Sequence, residues 1–208
     1  MLWLGAMCVC VRMTLGCCSE PNLWLFNYGL VITVPQLVKD FQAAKTLVTS
    51  INPGWRLVGN DVAFQIPIVG ELFPTFTDWM KQGGGKIVDV ITWHYYPLES
   101  SHCPLGGFPV TATPQRSVSP ATMTMGDAYR DTVLNYTRAY ASPDTPVWLG
   151  EMAEVSCGGT LNVTDAWAGT FYYLDKLGTL GSHGHHAVMR QALYSDRYGA
   201  WSALRPQE

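Results

Sequence analysis

Pro146-Val147-Trp148-Leu149-Gly150-Glu151 is the stretch on which the reading of this chain turns. A short run of Val, Trp and Leu behind a proline has the pattern of a strand buried on both faces, and this one ends on a carboxylate. Three other runs share its character: Arg56-Leu57-Val58, Ile87 to Trp93, and Ala187-Val188-Met189. Helix-period segments lie between them. Leu37, Phe41, Ala44, Val48 and Ile51 step by four and three and so share one helix face. Pro35 suits the first turn of that helix and Pro53-Gly54 ends it. Leu72, Phe76, Trp79 and Met80 form a second stripe, stopped by Gly83-Gly84-Gly85. Tyr129, Thr132, Val133, Tyr136 and Tyr140 form a third, and Ala168, Phe171, Tyr172 and Leu174 a fourth ahead of Gly178. Strands alternating with helices over short connections imply right-handed βαβ units and a parallel sheet, an α/β fold.

Composition bounds the answer. The chain has 208 residues, whereas a complete (β/α)8 TIM barrel typically needs about 250. It is 48% hydrophobic and 14% charged, against roughly 25% charged in an average soluble domain, so a packed core is expected rather than disorder. A net charge of −3 with no long basic run argues against nucleic-acid binding. No uninterrupted apolar stretch reaches the roughly 20 residues of a transmembrane segment. From Met1 to Cys18 the chain is apolar, with Arg12 its only charge. This stretch therefore reads either as a buried strand plus a non-native start or as a signal-peptide core lacking its basic flank, with residues 1–14 an atypical apolar N-terminal segment. Of six cysteines, four crowd into this region; Cys103 and Cys157 stand apart, as a disulfide or as two thiols. Asn135-Tyr136-Thr137 and Asn162-Val163-Thr164 are glycosylation sequons, which favour secretion.

Two carboxylates are placed for chemistry. Glu151 closes its strand, and Glu20, before Pro21-Asn22, follows the short apolar run Leu15-Gly16-Cys17-Cys18. Counting from Glu20's strand through those at Val58 and Trp93 puts Glu151 three strands further on. In a barrel that spacing sets two carboxylates across the mouth, where about 5 Å between them makes a retaining glycosidase. Taken singly, either residue also reads as a solvated loop carboxylate. Trp93, His94, Tyr95 and Tyr96 at another strand tip offer stacking faces and polar tips for sugar rings. His94 reads either as an orienter of a carboxylate or as a structural histidine. Gly158-Gly159 offers backbone donors to an anion, or is a plain turn. The loop from Pro97 to Met125, rich in Pro, Ser, Thr and Gly, leaves this same edge of the sheet and is long enough to be functional. His183, His185 and His186 lack a matching set of carboxylates or cysteines, so no metal is expected. Neither Ser156 nor Ser195 lies in a G-x-S-x-G setting, and no Walker loop or dinucleotide fingerprint exists, so no cofactor is expected.

Val90-Ile91-Thr92-Trp93-His94-Tyr95-Tyr96, Val147-Trp148-Leu149-Gly150-Glu151, Leu174-Asp175-Lys176-Leu177-Gly178 and Val188-Met189-Arg190-Gln191 resemble the heparanase-like glycoside hydrolases of family 79. Ser19-Glu20-Pro21-Asn22 and Val58-Gly59-Asn60-Asp61-Val62 are similar to them as well, and the likeness runs in order from Leu15 to Tyr198. The resemblance implies a retaining (β/α)8 barrel carrying a β-sandwich, acting on β-linked glucuronic acid in glycans or proteoglycans. It implies Glu151 as nucleophile and Glu20 as acid/base, the latter holding its proton near working pH. It assigns Tyr96, Gly158, Gly159 and Tyr198 to the glucuronate, with Gln65 and Gln191 as weaker matches. It also implies an extracellular or lysosomal location, with membrane association through proteoglycan.

Three departures stand beside it. The family has Asn directly before its acid/base glutamate; here Ser19 stands there, without the amide that contacts the sugar 2-OH, a contact worth several kcal/mol in the transition state. The match begins at the fourth strand, and it stops just past the eighth. The expectation is thus a partial barrel over 15–208, roughly strands 4 to 8, lacking the first three strands and the sandwich, with open edges. Such a chain is an active glycosidase, an inactive carbohydrate-binding derivative, or a fragment needing a complementing chain or self-association. Arg116 is the only Lys or Arg between Pro97 and Met125, which tilts the substrate towards glucuronides of low sulfation.

Overall fold

The computed structural model describes residues 20–64, 75–103 and 111–192. The segment 1–14, the strand expected ahead of Glu20, and Ser19, Gln65, Leu72 and Tyr198 lie outside the described residues. Four strands, β1 (Val58–Ala63), β2 (Val90–Tyr95), β3 (Val147–Met152) and β4 (Ala187–Arg190), form one sheet in the order β1-β2-β3-β4. Helices intervene between strands that are neighbours in both sequence and space, as parallel pairing requires. The chain is an α/β protein with a parallel sheet.

The strand bounds differ from the sequence expectation in instructive ways. Ile87 lies just past a 3-10 turn (Gly84–Lys86), so β2 starts at Val90. Arg56 is exposed, and β1 instead runs through Gly59-Asn60-Asp61, residues of low β propensity. The loop from Pro97 to Met125 is not wholly irregular: α4 (Pro114–Ser117) and α5 (Pro120–Thr124) interrupt it, each opened by a proline behind a Thr or Ser cap.

The residues group into two compact units, through which β2, β3 and α6 (Asp127–Tyr140) pass. In one unit (described residues 20–63, 75–93 and 131–148), the short helix α1 (Trp24–Tyr28) is followed by α2 (Val34–Ile51), which Thr33 caps and which carries Pro35 in its first turn. Leu37, Ala44 and Val48 are buried as expected, but Ile51 is 60% exposed, because the helix ends there. Phe41 packs edge-on against Trp79 of α3 (Phe76–Lys81) and lies where a side chain on Gly59 would have to go. The Trp79 indole likewise occupies the space of any side chain on Gly84. Asp89 joins α2 to the sheet: its carboxylate accepts from Lys45 Nζ at 2.5 Å and from the Leu57 N–H at 2.8 Å.

The other unit (described residues 64, 94–103, 111–130 and 149–192) is built around charge. Glu154 is fully buried, and Arg190 Nη1 donates to its Oε2 at 3.1 Å. Arg190 also donates to the carbonyls of Gly169 (3.3 Å) and Thr164 (3.0 Å). Burial raises the Glu154 pKa, and Arg190 opposes that rise. A side chain on Gly169 would collide with both Glu154 and Arg190, so only glycine lets α7 (Trp167–Ser182) approach. This corrects the fourth apolar stripe. Tyr172 is buried, but Phe171 and Leu174 are 61% and 57% exposed, and the inner face is Gly169, Tyr172, Lys176 and Leu180. Apolarity misled because a glycine and a lysine fill inner positions. Lys176 donates to the Met123 carbonyl at the end of α5, pairs with Asp175 and lies over the Tyr172 ring.

Removing one partner of a buried ion pair leaves an uncompensated charge, which costs about 3–5 kcal/mol. Arg190→Leu should therefore lower stability by that order in urea titration. Arg138→Leu, on the exposed side of α6, should change it by less than about 0.5 kcal/mol.

Candidate active site

Glu151 lies near the C-terminal end of β3 with its side chain 23% exposed. The Tyr96 hydroxyl donates to its Oε1 at 2.5 Å, and His94 Nδ1 stands 3.8 Å from its Oε2. His94 and Tyr96 are two residues apart in extended chain and so face the same way. The Phe64 N–H holds the His94 carbonyl at 3.1 Å, and buried Ala153 packs with Tyr96.

The expected stacking platform is not there. Trp93, His94, Tyr95 and Tyr96 are all buried, because β2 is covered along its whole length. Tyr95 packs on Tyr129, which in turn meets Phe64. Burial pushes the Tyr95 phenol well above its ordinary pKa. Among these four, Tyr96 and His94 reach Glu151 with polar atoms.

Backbone bonds fix the loops that follow the strands. Leu98 donates to the Glu154 carbonyl (3.1 Å), and Ser156 donates back to the Leu98 carbonyl (2.9 Å). Leu98 and Val155 thus continue the parallel pairing past the strands, over a small cluster with Ala112 and Val163. Cys103 and Cys157 are joined in a disulfide across the same two loops, closing the choice left open by the sequence. A Glu99 carboxylate oxygen lies within 4.8 Å of both sulfurs, a grouping able to hold a metal only if the disulfide were opened. Cys157, Gly158 and Gly159 all take positive φ, and the Gly159 N–H donates to the Ser156 carbonyl at 3.3 Å, as a turn does. The Gln191 N–H donates to the Met152 carbonyl (2.9 Å), which sets Gln191 beside the end of β3.

Glu20 belongs to the other unit. It precedes a 3-10 turn (Pro21–Leu23) and takes φ 61°, ψ 59°, and its side chain does not cap that turn. Its N–H donates to the Asp61 carbonyl of β1 at 2.9 Å.

With this geometry in view, the comparisons are specific. The family model "Glycosyl hydrolase family 79, N-terminal domain" matches residues 39–178. The chain belongs to glycosyl hydrolase family 79. It is 30% identical over 180 residues to the heparanase of Gallus gallus, covering 85% of this chain and 31% of that one. It is 27% identical over 171 residues to the hyaluronoglucuronidase of Hirudo nipponia, covering 81% and 32%. To the inactive heparanase-2 of Homo sapiens it is 27% identical over 182 residues, covering 86% and 28%. The chain thus spans about a third of the length of these relatives. Among solved structures it is similar to a Paenibacillus polymyxa xyloglucanase of glycoside hydrolase family 44, at TM-score 0.58 and 14% identity, covering 85% of this chain and 41% of that one. That likeness concerns the fold.

In this family 79 chain Glu154 carries no signal in the sequence, and Asn22, Thr92 and Arg190 stand out there only as members of motifs that carry the family likeness. Nothing in periodicity marks them, since their partners are distant in sequence. The histidine cluster divides by burial. His183 is exposed, with Nδ1 2.7 Å from the Thr179 carbonyl. His185 is buried, and burial first, then the charges of Arg130, His186 and His183, lowers its pKa to about 4.

An unfolded histidine titrates near 6.5, so between that value and about 4 the unfolded chain binds the proton and the folded one does not. Stability carried by His185 is present above pH 6.5 and is lost as pH falls towards 4. The loss is on the order of 3 kcal/mol. Urea midpoints from pH 7 to 4 should fall less steeply for His185→Gln than for the parent chain.

Proposed function

We propose that this chain carries the catalytic carboxylates of a retaining glycoside hydrolase of the heparanase/β-glucuronidase type, within a partial (β/α)8 barrel. Its substrate would be β-linked glucuronic acid in a glycan or proteoglycan. The observation that carries the reading is the hydrogen bond from the Tyr96 hydroxyl to Glu151, with His94 beside the second oxygen. A nucleophilic carboxylate must be ionised and held in one rotation. A phenol donor does both, because a hydrogen bond to the charged form favours that form. Glu151 then attacks the anomeric carbon, while Glu20 protonates the leaving oxygen and later takes a proton from water. Family membership, and relatives named heparanase and hyaluronoglucuronidase, support the substrate class. Two exposed sequon asparagines, Asn135 and Asn162, suit a secreted or lysosomal glycoprotein.

A second reading, a carbohydrate-binding derivative without turnover, is favoured by Ser19 in place of the family's Asn and by the similarity to inactive heparanase-2.

Hydrolysis of a chromogenic aryl β-glucuronide between about pH 4 and 7 separates the two. The first reading expects turnover that Glu151→Gln abolishes with the fold retained, and that Ser19→Asn raises by restoring the amide at the 2-OH. Substantial turnover by Glu151→Gln would remove that residue from the nucleophile role. A folded parent chain with no turnover would leave the binding reading.

A further inference from the structure

We infer that Asn22 is a positioning residue for Glu20, acting through the end of β1; this rests on the acid/base reading of Glu20. Asn22 is buried, and its side-chain amide makes both possible bonds to one backbone unit. Nδ2 donates to the Ala63 carbonyl at 3.0 Å, and Oδ1 accepts from the Ala63 N–H at 3.1 Å. The two residues lie 41 apart in sequence, so the bonds stitch the segment carrying Glu20 onto the strand as an added strand would.

Glu20 needs such a restraint. A non-glycine residue in the left-handed region stays there only where its surroundings hold it, and the cost is about 1 kcal/mol or more. Glu20 is in that region at φ 61°, and its backbone partner Asp61 is at φ 56°. Their contact, the Glu20 N–H to the Asp61 carbonyl, has Asn22–Ala63 on one side. On the other, Thr92 of β2 donates from Oγ1 to Asp61 Oδ1 at 2.5 Å. The 3-10 turn closes the arrangement, with the Leu23 N–H on the Glu20 carbonyl at 2.8 Å. Strand β1 thus holds the Glu20 N–H directly and, through Asn22, the turn whose Leu23 N–H holds the Glu20 carbonyl, and the carboxylate takes no part in capping that turn. An acid that must meet a leaving oxygen within hydrogen-bond reach requires such a fixed main chain.

Native-state hydrogen exchange reads this without catalysis. In Asn22→Ala the Glu20 amide should exchange about tenfold faster or more, while the amides of β2 keep their protection; Asn22→Asp, which keeps only the acceptor, should fall between. Unchanged exchange at Glu20, or equal loss throughout β1 and β2, overturns the inference. Where the chain turns over aryl β-glucuronides, Asn22→Ala should slow a phenyl glucuronide about 100-fold and a dinitrophenyl glucuronide only a few-fold, because the good leaving group needs no acid. Equal loss on both substrates overturns the inference. Glu20→Ala is the control: if it lacks this leaving-group dependence, the acid/base reading fails, while the exchange result still decides what Asn22 does.

Discussion

The Glu154 carboxylate has no exposed surface, and its pairing with Arg190 is the constraint on which the site-bearing unit depends. A buried charge without a partner is too costly to keep, so the chain must bring Arg190 to this point. Doing so fixes β4 beside β3 and draws the N-terminal turn of α7 inward, where Arg190 meets the Gly169 and Thr164 carbonyls. The backbone of Glu154 works in the other direction: its carbonyl receives Leu98, two residues beyond Tyr96. One residue therefore sets the height of the Tyr96 loop and the end of the strand bearing Glu151.

The hydrogen bond between those two side chains follows from that framework rather than creating it. A phenol–carboxylate contact of 2.5 Å leaves little room for either loop to slide. The Leu98–Val155 pairing, its apolar cluster and the Cys103–Cys157 disulfide all resist such a slide. A cross-link closing 54 residues of chain also narrows the unfolded ensemble, by an amount worth a few kcal/mol in the chain-entropy model. Glu20 is held by a separate device: a buried amide and a strand carbonyl restrain a backbone geometry that its own residue type disfavours. Each carboxylate thus sits on a main chain fixed by its own unit.

How much of this was legible in the sequence depended on the range of the signal. The strand through Leu149 and the helix with Leu37, Ala44 and Val48 were readable because their burial repeats locally. The place of Glu151 near the end of its strand was readable because the apolar run before it stops there. Gly83-Gly84-Gly85 was readable as a stop, but that Gly84 must be glycine because of the Trp79 ring was not. The inner face of α7 was misread because Lys176 and Gly169 occupy it, each for a partner in a distant segment. The aromatic run ending β2 was taken for a sugar platform because composition cannot tell an exposed ring from a buried one.

By itself, then, the sequence determined the alternation of strand and helix and the family, since each is written in residue type and short-range spacing. Only the tertiary structure decided that the Tyr96 hydroxyl meets Glu151, that Cys103 and Cys157 pair, and that Asn22 binds the end of β1 while the Asp61 carbonyl takes the Glu20 N–H. The physical reason is common to all three. They depend on which way a buried side chain points and what it meets across the sheet, and pairing between residues some forty or more positions apart leaves no periodic trace in the chain.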